Sequence, residues 1–298
     1  MTTINNCFEF AYLFDVTNGN PNGDPDAANQ PRQDYETGLG LVTDVCLKRK
    51  IRNYVEMVKT GQSGHAIYIS EGAVLDDKHK AAYSALGVDP KKGANGKAGR
   101  SNGAHVQEHY DVRMMGALMV GDLNCGKVRG PLQLGIARSI DQIVPVQLSI
   151  TRMAATKAEE GKENKTMGNK WIVPYALYRV HGYINAPLAK RSGATEADVE
   201  LLWEALREMW HYDRSAVRPE MAARGLVALR HDGSMRTANT PELNDIVKVE
   251  RATDPSGPPR AWSDYRVMIS RERLPANVEV LDLMGQATAN RESAGKRR

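Results

Sequence analysis

Cys7-Phe8-Glu9-Phe10-Ala11-Tyr12-Leu13-Phe14-Asp15-Val16 is the stretch that decides the fold class. Phe8, Phe10, Tyr12, Phe14 and Val16 alternate with Cys7, Glu9, Ala11, Leu13 and Asp15, the two-residue period of a β-strand. All three phenylalanines of the chain lie on that one face, as expected of a strand covered by a layer of helices. The strand runs into Thr17-Asn18-Gly19-Asn20-Pro21-Asn22-Gly23-Asp24-Pro25-Asp26, where two Asn-Gly pairs and two prolines forbid regular structure and favour tight turns. A loop to about Leu41 follows, and then Thr43 and Asp44 read as a helix start. Leu47, Ile51, Tyr54, Val55 and Val58 form the apolar stripe of that helix, with Lys48, Arg49, Lys50 and Arg52 opposite. Lys48 and Arg52 repel each other at i, i+4, a cost that a bound phosphate would reverse. A solvated basic face fits the pattern equally well.

Further along, the pattern weakens between Gly61 and Gly130, where a strand near Ala66 to Ser70 and a helix near Asp77 to Leu86 are predicted. Asp89 to Gly103, with Lys91, Lys92, Lys97 and Arg100 among four glycines, reads as a mobile basic loop. Val144 to Met153 and Lys170 to Asn185 read as strands flanking a polar, lysine-dotted segment, which predicts a long hairpin projecting from the body. Thr195-Glu196-Ala197-Asp198 resembles a capping box with Asp in place of Glu, opening an amphipathic helix to about Tyr212. Strands are predicted at Gly225 to Arg230, Tyr265 to Ser270 and Val278 to Leu283, with a loop at Asp254 to Arg260 and a disordered basic tail over 286–298.

Composition bounds the function classes. With 298 residues, 41% hydrophobic and 26% charged, the chain is globular and large enough for its core to need no disulfides. No apolar run reaches the ~18 residues of a membrane span, and the N-terminus shows no signal pattern, so a cytoplasmic protein without membrane contact is expected. Cys7, Cys46 and Cys125 are odd in number and lack zinc spacing, as for reduced thiols, so neither metal nor cofactor is expected.

The formal net charge of +4 misleads, because the tail alone contributes +3. Residues 1–42 carry six acids and one base, residues 127–191 eleven bases and four acids, and residues 196–220 seven acids and three arginines. Such segregation suits one basic groove, and acidic and basic faces on one molecule suit head-to-tail self-association. Arg129, Arg138, Arg152, Lys157, Lys162, Lys165, Lys170 and Arg179 interleave with Trp171, Tyr175 and Tyr178, the residue types that hold RNA by phosphate and stacking.

Two enzyme readings stand as alternatives. His105-Val106-Gln107-Glu108-His109 matches the H-x-x-E-H pattern of inverted zinc peptidases, without an evident third ligand. Asp15, Asp24, Asp26, Asp34 and Glu36 could host the metal of a nuclease, although turn chemistry demands the same residues. No Walker loop, nucleophile elbow, C-x-x-C pair or dinucleotide fingerprint is present, and the chain is not expected to be an enzyme.

Phe14 to Asp26 closely resembles the N-terminal signature of the Cas-seven backbone subunits of CRISPR Cascade complexes. Leu41 to Arg52 continues the match in type I-C style, as do Ala137 to Asp141, Ser149 to Arg152, Thr166-Met167-Gly168 and Ile172 to Tyr175. The resemblance implies an α+β fold: a ferredoxin-like (RRM-like) palm in a single domain over 1–298, with a finger insertion at 60–135 and a thumb β-hairpin at 150–172. It implies copies stacked head to tail along a guide RNA (crRNA), presenting it to a target DNA strand beside a cap subunit of the Cas-five type and a large subunit. In that arrangement the protein holds RNA by shape and phosphate while base pairing reads sequence. Mapped onto this chain, Lys48, Arg49 and Arg52 would grip phosphates, and Asn18, Gly19, Asn20, Asn22 and Gly23 would approach the backbone. Arg138 and Ser139 would line the groove beside Arg152. Thr166, Met167 and Lys170 would form the thumb, with Met167 wedged between bases.

Overall fold

A computed structural model describes residues 2–87, 98–121, 123–152, 154, 166–236, 245–252, 257–285 and 288–289. The aromatic strand is β1 (Phe8–Gly19), and it lies inside the main sheet. Among the described residues fourteen further strands follow it. The small ones are β2 (Gly23–Asp24), β3 (Gln30–Pro31), β5 (Ala117–Met119), β6 (Gly126–Val128) and β15 (Thr288–Ala289). The main antiparallel sheet runs β14-β11-β1-β10-β8-β4, built from β14 (Val278–Asp282), β11 (Glu220–His231), β10 (Thr166–Ile184), β8 (Ala137–Gln142) and β4 (Leu39–Val42). Two more strands, β7 (Leu132–Leu134) and β9 (Val146–Arg152), also pair with β10.

Both faces of β1 are covered. Phe8, Phe10, Tyr12, Phe14 and Val16 share a core with α1 (Asp44–Val58) and α6 (Glu196–Tyr212). There Phe10 meets Trp203 edge-on at 5.1 Å, Phe14 stacks on Tyr178 at 5.4 Å, and the Trp210 indole N–H donates to the Tyr12 hydroxyl at 2.7 Å. Such aromatic pairs add about 0.5–1.5 kcal/mol each beyond area burial. On the other face Ala11 and Leu13 pack with Tyr175, Leu177, Val227 and Leu229 beneath β12 (Val247–Arg251) and β13 (Tyr265–Ile269). The helix layer that the phenylalanine row predicts is present, and a second cover, not anticipated, buries the opposite face.

The capping box at α6 is formed: Thr195 Oγ1 accepts from Asp198 N while Asp198 Oδ2 accepts from Thr195 N. Four sequence expectations fail, beside two helices that went unread. β1 continues through Thr17, Asn18 and Gly19, and β2 and β3 lie in the stretch expected to hold no regular structure. Ala66 to Ser70 makes only an isolated bridge between Ala66 and His109, not a strand. Ala98–Glu108 is helix α3, where a basic loop was expected up to Gly103; the rest of that loop, 88–97, lies outside the described residues. α4 (Tyr110–Met115) and α5 (Ala186–Ser192) were unread. Finally, β10 starts at Thr166, so Thr166 to Asn169 belong to the strand and not to the polar tip. The early start reflects pairing with β9, which supplies ladder bonds that local composition does not reveal.

Two buried ion pairs bind α4 into the body. Arg52 on α1 donates to Asp111 at 2.8 Å, and Arg113 grips both oxygens of Asp198 at 2.9 and 2.6 Å. Asp111 also accepts from the backbone N–H groups of Tyr68 and Ile69, so its buried charge is fully engaged.

Candidate nucleic-acid interface

The loop after β1 is braced from within. Asn18 sits at φ 51, a left-handed position that Asn tolerates, and its side chain is exposed. Asn20 donates to Asn29 O at 2.6 Å, and Asn22 Oδ1 accepts from both the N–H and the hydroxyl of Thr43 at 3.0 Å. Thr43 in turn caps α1 through Cys46 N. A Cβ at Gly19 would lie 2.9 Å from Val16 Cγ2, and one at Gly23 the same distance from Asn29 Oδ1. The two glycines therefore answer close packing at the end of β1 and in the loop, Asn20 braces the loop internally, and Asn22 ties it to the start of α1.

The four cations read as one basic face of α1 separate. Lys48 pairs with Asp44 at 2.9 Å, and Arg49 reaches Glu71 at 2.7 Å and Asn53 at 3.0 Å, both near the surface. Lys50 is buried against Asp213, and Arg52, only 8% exposed, is committed to Asp111. In this structure Arg52 is a strut between elements, since its acid partner comes from 59 residues away, beyond the reach of helical periodicity.

Arg138 and Ser139 point oppositely, as neighbours on a strand must. Arg138 is 52% exposed by side chain and pairs with Asp34 at 2.8 Å, which holds the Asp34 carboxyl below the usual range. Ser139 is buried: its hydroxyl donates to Asp141 O at 2.5 Å and accepts from Gly40 N at 2.8 Å. It does not line a groove. Arg179 stands beside Arg138 in register on β10, and Arg179, His181 and Tyr183 share the face opposite the helices. Among the described residues no carboxylate pairs with Arg179, and burial pulls its pKa down. His181 is pushed down to about 4 by burial and by the Arg179 charge. The alternation of Arg179, His181 and Tyr183 with Tyr178, Val180 and Gly182 was the available signal for this group.

The basic segment is not one groove. Arg129, Lys190 and Arg191 line a cleft of about 1220 Å³ with Lys59 and Lys127, near the start of α6. Arg138 and Arg179 occupy the opposite side of the sheet, and Arg152 and Lys170 lie on the β9–β10 arm. That arm pairs Val146–Arg152 with Thr166–Ile172, and every residue of β9 is exposed. Met167 is 73% exposed and faces the same side as Asn169 and Trp171. The other side carries Val146, Leu148, Ile150 and Ile172 with Lys170 and Arg152, an apolar stripe with two cations. Residues 153 and 155–165, including Lys157, Lys162 and Lys165, lie outside the described residues.

Neither enzyme reading gains a site. Asp15 is held by Arg224 at 2.8 Å and by the Tyr175 hydroxyl at 3.1 Å, with burial raising its pKa. Asp24 pairs with Arg32 and Asp34 with Arg138, so these acids do not converge. In H-x-x-E-H, α3 ends at Glu108 and His109 is the extended N-cap residue of α4, so the two histidines do not share one helix; Glu108 is exposed while His105 is buried. Among the described residues metal-ligand types converge only at His79, His105 and Cys125. No helix of the described residues is long and apolar enough to cross a membrane.

A family model described as CRISPR-associated protein Cas7 matches residues 6–270. The chain belongs to the Cas7 family. The CRISPR-associated protein Cas7 of Haloferax volcanii is 26% identical over 231 residues, which cover 70% of this chain and 66% of that one, about two thirds of its length. A chain of a "CRISPR RNA-guided surveillance complex, pre-nicking" superposes with a TM-score of 0.52 at 12% identity, covering 95% of each chain, which establishes a shared fold. A chain of another CRISPR RNA-guided surveillance complex gives a TM-score of 0.46 at 12% identity, over 95% of this chain and 94% of that one.

Proposed function

We propose that this Cas7-family chain is a backbone subunit of a type I-C Cascade complex. It binds crRNA by shape and phosphate, stacks head to tail with copies of itself, and presents the guide to a target DNA strand. The observation that carries this reading is the β9–β10 arm, a long hairpin with Met167 exposed on one side and no core of its own. Large exposed apolar side chains on a strand pair imply a partner. In this reading Met167 inserts between bases, and Val146, Leu148 and Ile150 rest on a neighbouring copy. Arg138, Arg179, Arg152 and Lys170 supply phosphate contacts, Lys48 and Arg49 on α1 add further cations, and Asn18 is exposed near the end of β1.

The order β11-β1-β10-β8, with α1 and α6 as the crossover helices, supports a ferredoxin-like palm. The α2–α4 region then serves as finger within 60–135 and the β9–β10 arm as thumb, α2 being Leu75–Ala85. The subunit is not itself a nuclease in this reading: Asp15, Asp24 and Asp34 are each engaged by an arginine, and cutting belongs to partners.

The test is purification at moderate salt from cells that carry a CRISPR array and the partner subunits. A large assembly holding an RNase-sensitive, DNase-resistant RNA of one defined length is expected. A monomer with a clean protein spectrum overturns the backbone reading. Cleavage of bound target RNA at regular spacing with magnesium overturns the non-enzymatic part.

A further inference from the structure

The α2–α4 region has only a small core of its own, Tyr68, Tyr83, Val112, Met119 and Cys125. Beside it three side chains converge from three separate elements: His79 from α2, His105 from α3 and Cys125 from the β5–β6 turn. They are between 0% and 1% exposed, and their ligand atoms all lie within 4.8 Å of one another. The histidines lack the partners that buried imidazoles normally find. Both ring nitrogens of His105 and Nδ1 of His79 have no hydrogen-bond partner, and the nearest acid, Asp76 Oδ1, is 3.7 Å from His79 Nδ1. Buried polar groups left unsatisfied are costly, so three in one small cluster is a deficit that a ligand would remove.

We propose that His79, His105 and Cys125 bind a zinc ion that clamps α2, α3 and the β5–β6 turn together. Two imidazoles and a thiolate are the donor types zinc selects, and the complete burial of the cluster suits a structural site rather than a catalytic one. Donors around a tetrahedral zinc stand roughly 3.5 Å apart, so the cluster needs to contract by about 1 Å at its widest separation. The Tyr68 hydroxyl, 2.7 Å from His79 Nε2, accepts that N–H and leaves Nδ1 with the ligating lone pair. Asp76 and His109, whose ring centre is 5.2 Å from that of His105, are the two donors from which the fourth ligand comes. On binding, the Cys125 thiol loses its proton to solvent as the zinc–sulfur bond forms, with no change of oxidation state. His105 thus belongs to this cluster and not to a peptidase pair with Glu108. The inference stands apart from the RNA reading, since none of these residues lies on the sheet face or the arm.

The experiment is elemental analysis of the purified full-length chain, followed by replacement of the bound metal with cobalt(II). About one zinc per chain is expected, with a cobalt spectrum that shows tetrahedral bands and a sulfur-to-cobalt charge-transfer band. Cys125→Ser removes the charge-transfer band, and His79→Ala lowers the metal content by about tenfold, whereas Cys46→Ser and His65→Ala retain both. Should the variants fold poorly, the cobalt spectrum of the unaltered chain decides alone. A chain that carries no zinc and gives no thiolate band with cobalt overturns the proposal. So does a Cys125→Ser protein with unchanged metal content and an unchanged band.

Discussion

The two ends of β10 share one strand and little else. From Val173 to Ile184 the strand lies inside the sheet, and Tyr178 and Val180 are buried against the helix layer. From Thr166 to Ile172 it pairs only with β9, and Met167, Gly168 and Asn169 are all exposed. The body end is paired with β1 on one edge and with β8 and β7 on the other and is buried, whereas the arm end has one partner strand and exposed side chains. A two-stranded ribbon is marginal on its own in water. The arm is held out by the rigidity of the strand it continues, and its side chains are left for contacts outside the chain.

Substitutions of like residues in body and arm test this division. Arg52→Ala strands the buried Asp111 carboxylate, and a loss of about 3–5 kcal/mol is expected in urea unfolding. Arg152→Ala on the exposed arm should change stability by less than about 0.5 kcal/mol and lower the salt slope of RNA binding by about 1. If Arg52→Ala unfolds like the unaltered chain yet binds RNA weakly, Arg52 is a phosphate ligand after all. Next in size are two glycines of the same strand. A Cβ at Gly182 would clash with the Phe10 ring, whereas one at Gly168 meets only Ile150 at 3.5 Å. Gly182→Ala should cost about 3 kcal/mol, and Gly168→Ala should be neutral; equal effects would show that the arm has a packed interior.

Met167→Ala removes the most prominent apolar side chain of the arm. Stability within about 0.5 kcal/mol of the unaltered chain is expected, together with loss of regularly spaced base displacement when bound guide RNA is probed chemically. A regular pattern that persists in Met167→Ala would remove the wedge assignment while leaving the phosphate contacts in place.

The legible parts of the molecule were those written in short-range periodicity. The β1 alternation, the α1 stripe, the Thr195–Asp198 box and the β9 strand each declare themselves within a few residues, whereas the Thr166–Asn169 end of the arm does not. What stayed hidden depends on partners far away in sequence. Arg52 looked like a phosphate grip because Asp111 is 59 residues off, and Ser139 looked exposed because Gly40 lies 99 residues upstream. His105 shows the same effect, for its neighbour at i+4 drew attention that belonged to His79 and Cys125. Charge counts located the basic segment correctly but could not say that it spreads over a cleft, a sheet face and an arm.

His181 provides the finest test of where nucleic acid lies, because it reports on Arg179 without being a major contact itself. Its pKa is lowered from 6.5 to about 4, first by burial and then by the Arg179 charge. An unfolded chain takes up this proton near pH 6.5 and the folded chain only near 4. The stability that His181 contributes is therefore complete above 6.5 and declines as pH falls towards 4. A phosphate seated on Arg179 cancels part of the opposing charge and raises the pKa. RNA binding should then take up a proton and tighten over the window in which the free chain weakens. NMR titration of the His181 ring with and without RNA measures both pKa values, and His181→Asn should flatten both pH dependences. A His181 pKa that RNA leaves unmoved would put the nucleic acid away from the Arg138–Arg179 face and confine it to the arm.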